Sequence, residues 1–107
     1  MSTFTARQGD ILIRRVNEIP KRLKPVPKDH GRVILAYGEA TGHCHVAEGD
    51  VQLLAADLED LEQRFLRVEH EANVVHDEHN TITLPPGDYS IERQREYSPE
   101  EIRTVAD

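Results

Sequence analysis

Apolar residues in this chain come in short, β-branched runs, and most runs end at a glycine, a proline or an acidic turn. Gly9-Asp10 precedes Ile11-Leu12-Ile13-Arg14-Arg15-Val16. Arg32-Val33-Ile34-Leu35-Ala36-Tyr37 stops at Gly38, and Thr81-Ile82-Thr83-Leu84 stops at Pro85-Pro86-Gly87-Asp88. Runs of this length and type fit a pleated, half-buried strand better than a helix, and turns at regular spacing imply a small closed or stacked sheet. The same reading makes residues 43–47 a strand, Glu48-Gly49-Asp50 a hairpin connection, and residues 51–54 the next strand. Residues 65–68, 73–76 and 89–97 continue the pattern, with a turn around Val68-Glu69-His70-Glu71. The expected fold is therefore mainly β, a compact single-domain barrel or sandwich over residues 1–107.

Two short helices and one loop interrupt this scheme. Leu54, Leu58, Leu61 and Phe65 recur at helical spacing, which predicts one or two helical turns within residues 57–63. Ser98-Pro99-Glu100-Glu101 places Ser at an N-cap, Pro at the first helical position and Glu at the third. That capping box predicts a short C-terminal helix at about 99–105. Pro20, Pro25 and Pro27 punctuate a Lys/Arg-rich stretch and remove backbone donors, so residues 18–31 read as an exposed loop.

Composition narrows the class of function. A chain of 107 residues with 37% hydrophobic content is sized for one core, and the absence of Trp points to a core of Val, Ile and Leu. The single Cys44 has no intrachain partner, and the N-terminus shows no apolar stretch like a signal peptide, so a cytoplasmic location is expected. No run approaches the roughly eighteen apolar residues of a membrane span. The net charge of −7 is uneven: residues 1–35 carry eight Arg/Lys against three Asp/Glu, the remainder five against seventeen. Arg14, Arg15, Lys21, Arg22, Lys24 and Lys28 form a basic strip, but the acidic body repels phosphates and no aromatic residues interleave the strip. Both features argue against nucleic acid as a partner.

The histidines carry the chemistry. Strand alternation puts His43 and His45 on one side and Cys44 on the other, so the two imidazoles form a chelating pair and Cys44 reads as a core residue. A second cluster, His76-Asp77-Glu78-His79, lies at another strand end. His76 and Glu78 share a face if that strand persists, and His79 reaches back if the chain bends. The expected metal ligands are His43, His45, His76 and His79, holding a divalent transition ion (Zn, Fe, Ni or Mn) through neutral imidazoles. Glu78 and Glu48 are the candidate ligands or general bases, since a carboxylate beside metal-bound water can take its proton. His30 and His70 read as surface residues. The alternative to metal-dependent chemistry is a non-enzymatic interaction module with surface histidines, a homodimer through edge strands that uses Arg93-Gln94-Arg95-Glu96-Tyr97.

Gly42-His43-Cys44-His45, with Glu48 downstream and Pro85-Pro86-Gly87-Asp88-Tyr89 later, resembles the cupin family of small metal-holding β-barrels. The resemblance covers about residues 38–90 and implies a cupin-like barrel with metal between its strands. The sequence departs from that family's pattern in two places: Glu48 stands closer to His45, and Ser90 stands where a third His would follow Gly87. The chain is also similar to a set of short, uncharacterised bacterial proteins through Arg7-Gln8-Gly9-Asp10, Gly38-Glu39-Ala40-Thr41-Gly42-His43, His76-Asp77-Glu78-His79 and Arg93-Gln94-Arg95-Glu96-Tyr97. That similarity implies no particular activity or small-molecule ligand.

Overall fold

The computed structural model describes residues 4–37, 43–57 and 63–93. Eight strands run through them: β1 (Thr5–Gln8), β2 (Ile11–Val16), β3 (Lys24–Pro25), β4 (Val33–Tyr37), β5 (Cys44–Ala55), β6 (Gln63–His76), β7 (His79–Leu84) and β8 (Gly87–Arg93). No helix occurs among the described residues. The helix expected at 99–105 lies outside them, as do most of the turns expected within 57–63. All pairings are antiparallel, in the order β1-β2-β8-β6-β5-β3, with β4 added to β5 and β7 added to β6.

The hairpin of β5 and β6 is the spine of this sheet, and two sequence-based turns are corrected by it. Glu48-Gly49-Asp50 is not a hairpin connection, and Glu69-His70-Glu71 is not a turn; both lie inside long strands. Gly49 pairs with Ala72 and Val51 with Val68, so residues 69–71 of β6 face the single Asp50 of β5. Such a bulge bends both strands without ending either. The bend lets β5 pair with β4 at one end and β3 at the other, while β6 pairs with β7 and then β8. Gly49 has a φ of 128°, and a Cβ built on it would stand 2.5 Å from the Glu71 carbonyl oxygen. Gly49→Ala should therefore destabilise the protein by about 2–3 kcal/mol, read as a lower urea midpoint.

Among the described residues the sheet is not closed into the barrel that the cupin resemblance implies. β1 approaches β7 across the opening, but no strand ladder joins them. A side chain bridges there instead. The Gln8 amide Nε2 donates to the carbonyls of Val74 at 3.0 Å and Asn80 at 2.8 Å. β1 itself was not foreseen, and β3 pairs within the segment expected as a loop.

Between the folded halves lies one core of Ile11, Ile13, Leu35, Ala47, Leu53, Leu66, Val68, Val74, Leu84 and Ile91, with Tyr89 fully buried among them. Tyr89 can be buried because its hydroxyl donates to the Pro85 carbonyl at 2.6 Å and its ring meets Phe4 edge-on. The Pro85-Pro86-Gly87 turn and the last described strand are locked together by that bond. Arg15, part of the basic strip, lies over the same ring and donates to the Pro86 carbonyl, and Arg14 stands beside Glu92.

Candidate metal centre

Three pieces of backbone converge at one end of the spine. One is the tight turn Gly9-Asp10 between β1 and β2, the second is the start of β5, and the third is the two-residue turn Asp77-Glu78 between β6 and β7. His76 and His79 flank the last turn as directly paired residues, so their rings lie near each other, with centroids 4.7 Å apart. Val46 pairs with Val75. One step beyond, the His45 and His76 rings approach to 4.4 Å. His43 stacks on His76 at 6.0 Å and His79 on His45 at 6.3 Å. The four histidines singled out in the sequence therefore form one cluster, assembled by strand pairing over more than thirty residues of separation.

The outer edge of the cluster contains the donor set best arranged for a cation. A ligand atom from each of His43, His76 and Asp77 lies within 4.8 Å of the other two. His43 Nδ1 is 3.0 Å and His76 Nδ1 3.4 Å from the same Asp77 oxygen, Oδ1. Donors about 2.0–2.2 Å from a tetrahedral or octahedral metal stand roughly 3.0–3.5 Å apart, so these spacings also suit the edges of a coordination shell. A His/Asp group that could hold a metal ion is thus present. The hydrogen bond to Asp77 raises the His43 pKa, and the same bond lowers that of Asp77. A metal at His43 Nδ1 must therefore displace a proton held more firmly than usual, so its affinity should fall as the pH drops below neutrality.

The inner part is built differently. His45 is only 3% exposed. Its Nδ1 faces Gln8 Oε1 at 2.8 Å and its Nε2 faces Asp10 Oδ1 at 3.3 Å. Because the Gln8 nitrogen donates to two carbonyls, the amide oxygen is the atom turned to His45, and the ring must donate from Nδ1. Burial, and then the neighbouring His76, lower the His45 pKa to about 4 against the opposing pull of Asp10. A neutral ring with its proton on Nδ1 and its lone pair on Nε2 is the form a metal requires.

Several sequence expectations change in detail. The chain turns at Asp77-Glu78, so the residue sharing a side with His76 is His79, its paired neighbour, and Glu78 is largely exposed. Glu78 acts through its backbone: its N–H donates to His76 Nδ1 at 3.0 Å, and its carboxylate is 4.0 Å from His43 Nδ1. Cys44 is half-buried and is not part of the core; with Arg32, Val46 and Glu48 it lines a concavity of about 240 Å³ that reaches His76 and Asp77. Glu48 thus borders the cluster without joining its donors. His30 and His70 are exposed and paired with Asp29 and Asp50. Arg93, expected on a docking strand, is tied to Asp10 by a 2.9 Å bond from Nε, and residues 94–97 lie outside the described residues.

Gln8 and Asp10 were missed as site residues. Their signals were the Gly9-Asp10 turn, which brings both to the opening between β1 and β7, and the Arg7-Gln8-Gly9-Asp10 element of the similarity to short bacterial proteins, which carries no role for either. Residues 7–94 match a domain of unknown function, DUF8820. The chain belongs to that family. The DUF8820 match begins one residue before Gln8 and ends one residue after Arg93, so it spans the whole cluster and its supporting bonds. No curated protein and no solved structure matches the chain.

Proposed function

We propose that this protein is a metal-binding β domain that holds a divalent transition ion, Zn, Fe, Ni or Mn, on the cluster of His43, His45, His76 and His79, with Asp77 as a carboxylate ligand. The observation that carries the proposal is the approach of His43, His76 and Asp77 donor atoms to within 4.8 Å of one another, beside two further imidazoles. Mixed nitrogen and carboxylate donors suit first-row divalent ions, and if the trio of His43, His76 and Asp77 provides the closest ligands, positions are left for water, substrate or a further imidazole.

His76 joins the shell through an exchange of hydrogen bonds. Its Nδ1 accepts from the Glu78 backbone, so a metal there displaces a bond at a solvent-facing turn, where water can replace it. Metal-dependent chemistry follows if the bound ion activates water: Glu48 borders the concavity beside His76 and Asp77, and the Glu78 carboxylate stands 4.0 Å from His43 Nδ1. Either carboxylate then acts as the general base.

Calorimetric titration of untagged protein with Zn²⁺ tests the metal assignment. Wild-type protein should bind at micromolar or tighter affinity, and His43→Ala/His76→Ala should weaken binding by at least about 100-fold while circular dichroism remains β-type. Equal heats from the two proteins would remove the proposal.

A further inference from the structure

The concavity that reaches His76 and Asp77 does not end at Glu48. It meets a second concavity of about 290 Å³, and the two share Arg32, Val46 and Glu48 as walls. Together they make a trough along the side of β5 that carries Cys44, Val46 and Glu48, the side turned away from His45. Val75, paired with Val46, adds to its apolar floor. The trough thus has the metal trio's edge at one end, a valine floor, and Lys28 with Arg32 at the other end.

The two cations are not spent on the protein's own acids. Among the described residues, no carboxylate forms an ion pair with Lys28 or Arg32. Asp29, the acid nearest to Arg32 in sequence, already faces His30 Nδ1 through Oδ1 at 2.6 Å and accepts from the Tyr37 hydroxyl through Oδ2 at 2.7 Å. The backbone of Arg32 is nevertheless fixed. It exchanges hydrogen bonds of 2.9 and 3.0 Å with the backbone of Asp29, around a turn in which His30 and Gly31 have φ of 52° and 80°. Positive φ at both central residues is the pattern of a tight type I′ turn. A guanidinium carried on such a turn presents a planar fork that matches a carboxylate or a phosphate.

We infer that the trough is the seat of a small anionic molecule, whose carboxylate or phosphate group is received by Arg32 with Lys28 while its other end reaches the ion held by the His43, His76 and Asp77 trio. This names the ligand class of the metal site proposed above and rests on that reading. Concavities of about 240 and 290 Å³ suit a molecule of metabolite size. A polyanion is disfavoured by the chain's net charge of −7, whereas a single anionic group meets only the local cations. Glu48 and Asp77 oppose an anion along the trough in the metal-free protein. A divalent ion at Asp77 reverses the sign at that end, so metal and anion should each tighten the binding of the other.

Amide NMR spectra of the full untagged chain, titrated in parallel with succinate and with inorganic phosphate, test the inference and show which anionic group is preferred. Saturable shifts should centre on Gly31, Arg32 and Val46. Loading the protein with Zn²⁺ should tighten binding of the preferred probe by about 10-fold, Glu48→Gln should tighten it by about 2–5-fold, and Arg32→Gln should weaken it by at least about 10-fold. Lys21→Gln, which removes an exposed cation outside the trough, should leave the affinity unchanged. No saturable shift with either probe in zinc-loaded protein, or an Arg32→Gln variant that binds as well as Lys21→Gln, overturns the anion seat while leaving the metal reading intact. An affinity indifferent to Zn²⁺ in protein that holds the ion overturns the joint site. A chain that binds no Zn²⁺ yet loses probe binding on Arg32→Gln supports the Arg32 seat and removes the metal reading.

Discussion

Acidification from pH 6.5 to pH 4 is expected to remove about 3 kcal/mol of folding stability through His45 alone. In the unfolded chain this imidazole titrates near its ordinary 6.5; in the folded protein burial holds it at about 4. Below 6.5 the unfolded state therefore binds the proton first, and stability falls with pH until the folded ring also protonates, near 4. Above 6.5 the penalty is absent. His43 has the opposite sign: its raised pKa favours the folded state at low pH, and that contribution disappears as pH rises through the folded value. Being on the outer edge and in contact with solvent, it is too well screened to cancel the loss at His45. Urea unfolding of metal-free protein at a series of pH values should show the midpoint decline between 6.5 and 4. His45→Gln should flatten that decline.

Replacing Gln8 with Leu is expected to cause the second large loss. Gln8 is 1% exposed, and its amide serves three groups on three parts of the chain: Val74, Asn80 and the His45 ring. Leucine preserves most of the volume but removes all three bonds, stranding the His45 Nδ1 proton and the two carbonyls beside it. Each buried group left unsatisfied costs about 1–3 kcal/mol, so a total of about 3–5 kcal/mol is expected after partial relaxation. The same change frees the His45 ring to take either tautomer, which should weaken metal binding by about 10–100-fold. The stability loss is read by denaturant titration, and the affinity loss by calorimetry at a temperature where the variant remains folded. A Leu variant as stable as wild type would mean that Gln8 does not join β1 to β6 and β7.

The sequence made local order legible and left long-range order hidden. Ile11 to Val16 has the length and residue types of β2, and the runs at residues 32–37 and 81–84 overlap β4 and β7, because apolar β-branched residues leave few alternatives to an extended backbone. Gly49 was misread because a glycine among charged residues looks the same in a hairpin as in a bulge. Only its pairing with Ala72, across the bend at Asp50, distinguishes them. Glu69, His70 and Glu71 were misread for the same reason: their exposed, charged side chains suggest a turn, although the backbone continues through them.

The candidate site divides along the same line. The pairing of His43 with His45 follows from strand alternation, and His76 with His79 from a turn of two residues, so all four could be named from spacing. Their union depends on the β5–β6 register, which spacing within either segment does not encode. Gln8 and Asp10 stand one residue either side of Gly9, in a segment legible as a turn and as a shared sequence element but with no chemistry attached to it. Their role emerges where β1 crosses to β7, a contact made by side chains across an open edge rather than by a ladder.

Elemental analysis of protein purified without an affinity tag, under buffers free of chelator, tests the central claim most directly, because a tag would contribute imidazoles of its own. The account predicts that wild-type protein carries about one or more equivalents of a first-row divalent ion and that His43→Ala/His76→Ala carries substantially less. Wild-type protein that contains no such ion, and takes up none after incubation with excess Zn²⁺, Fe²⁺, Ni²⁺ or Mn²⁺, would contradict it.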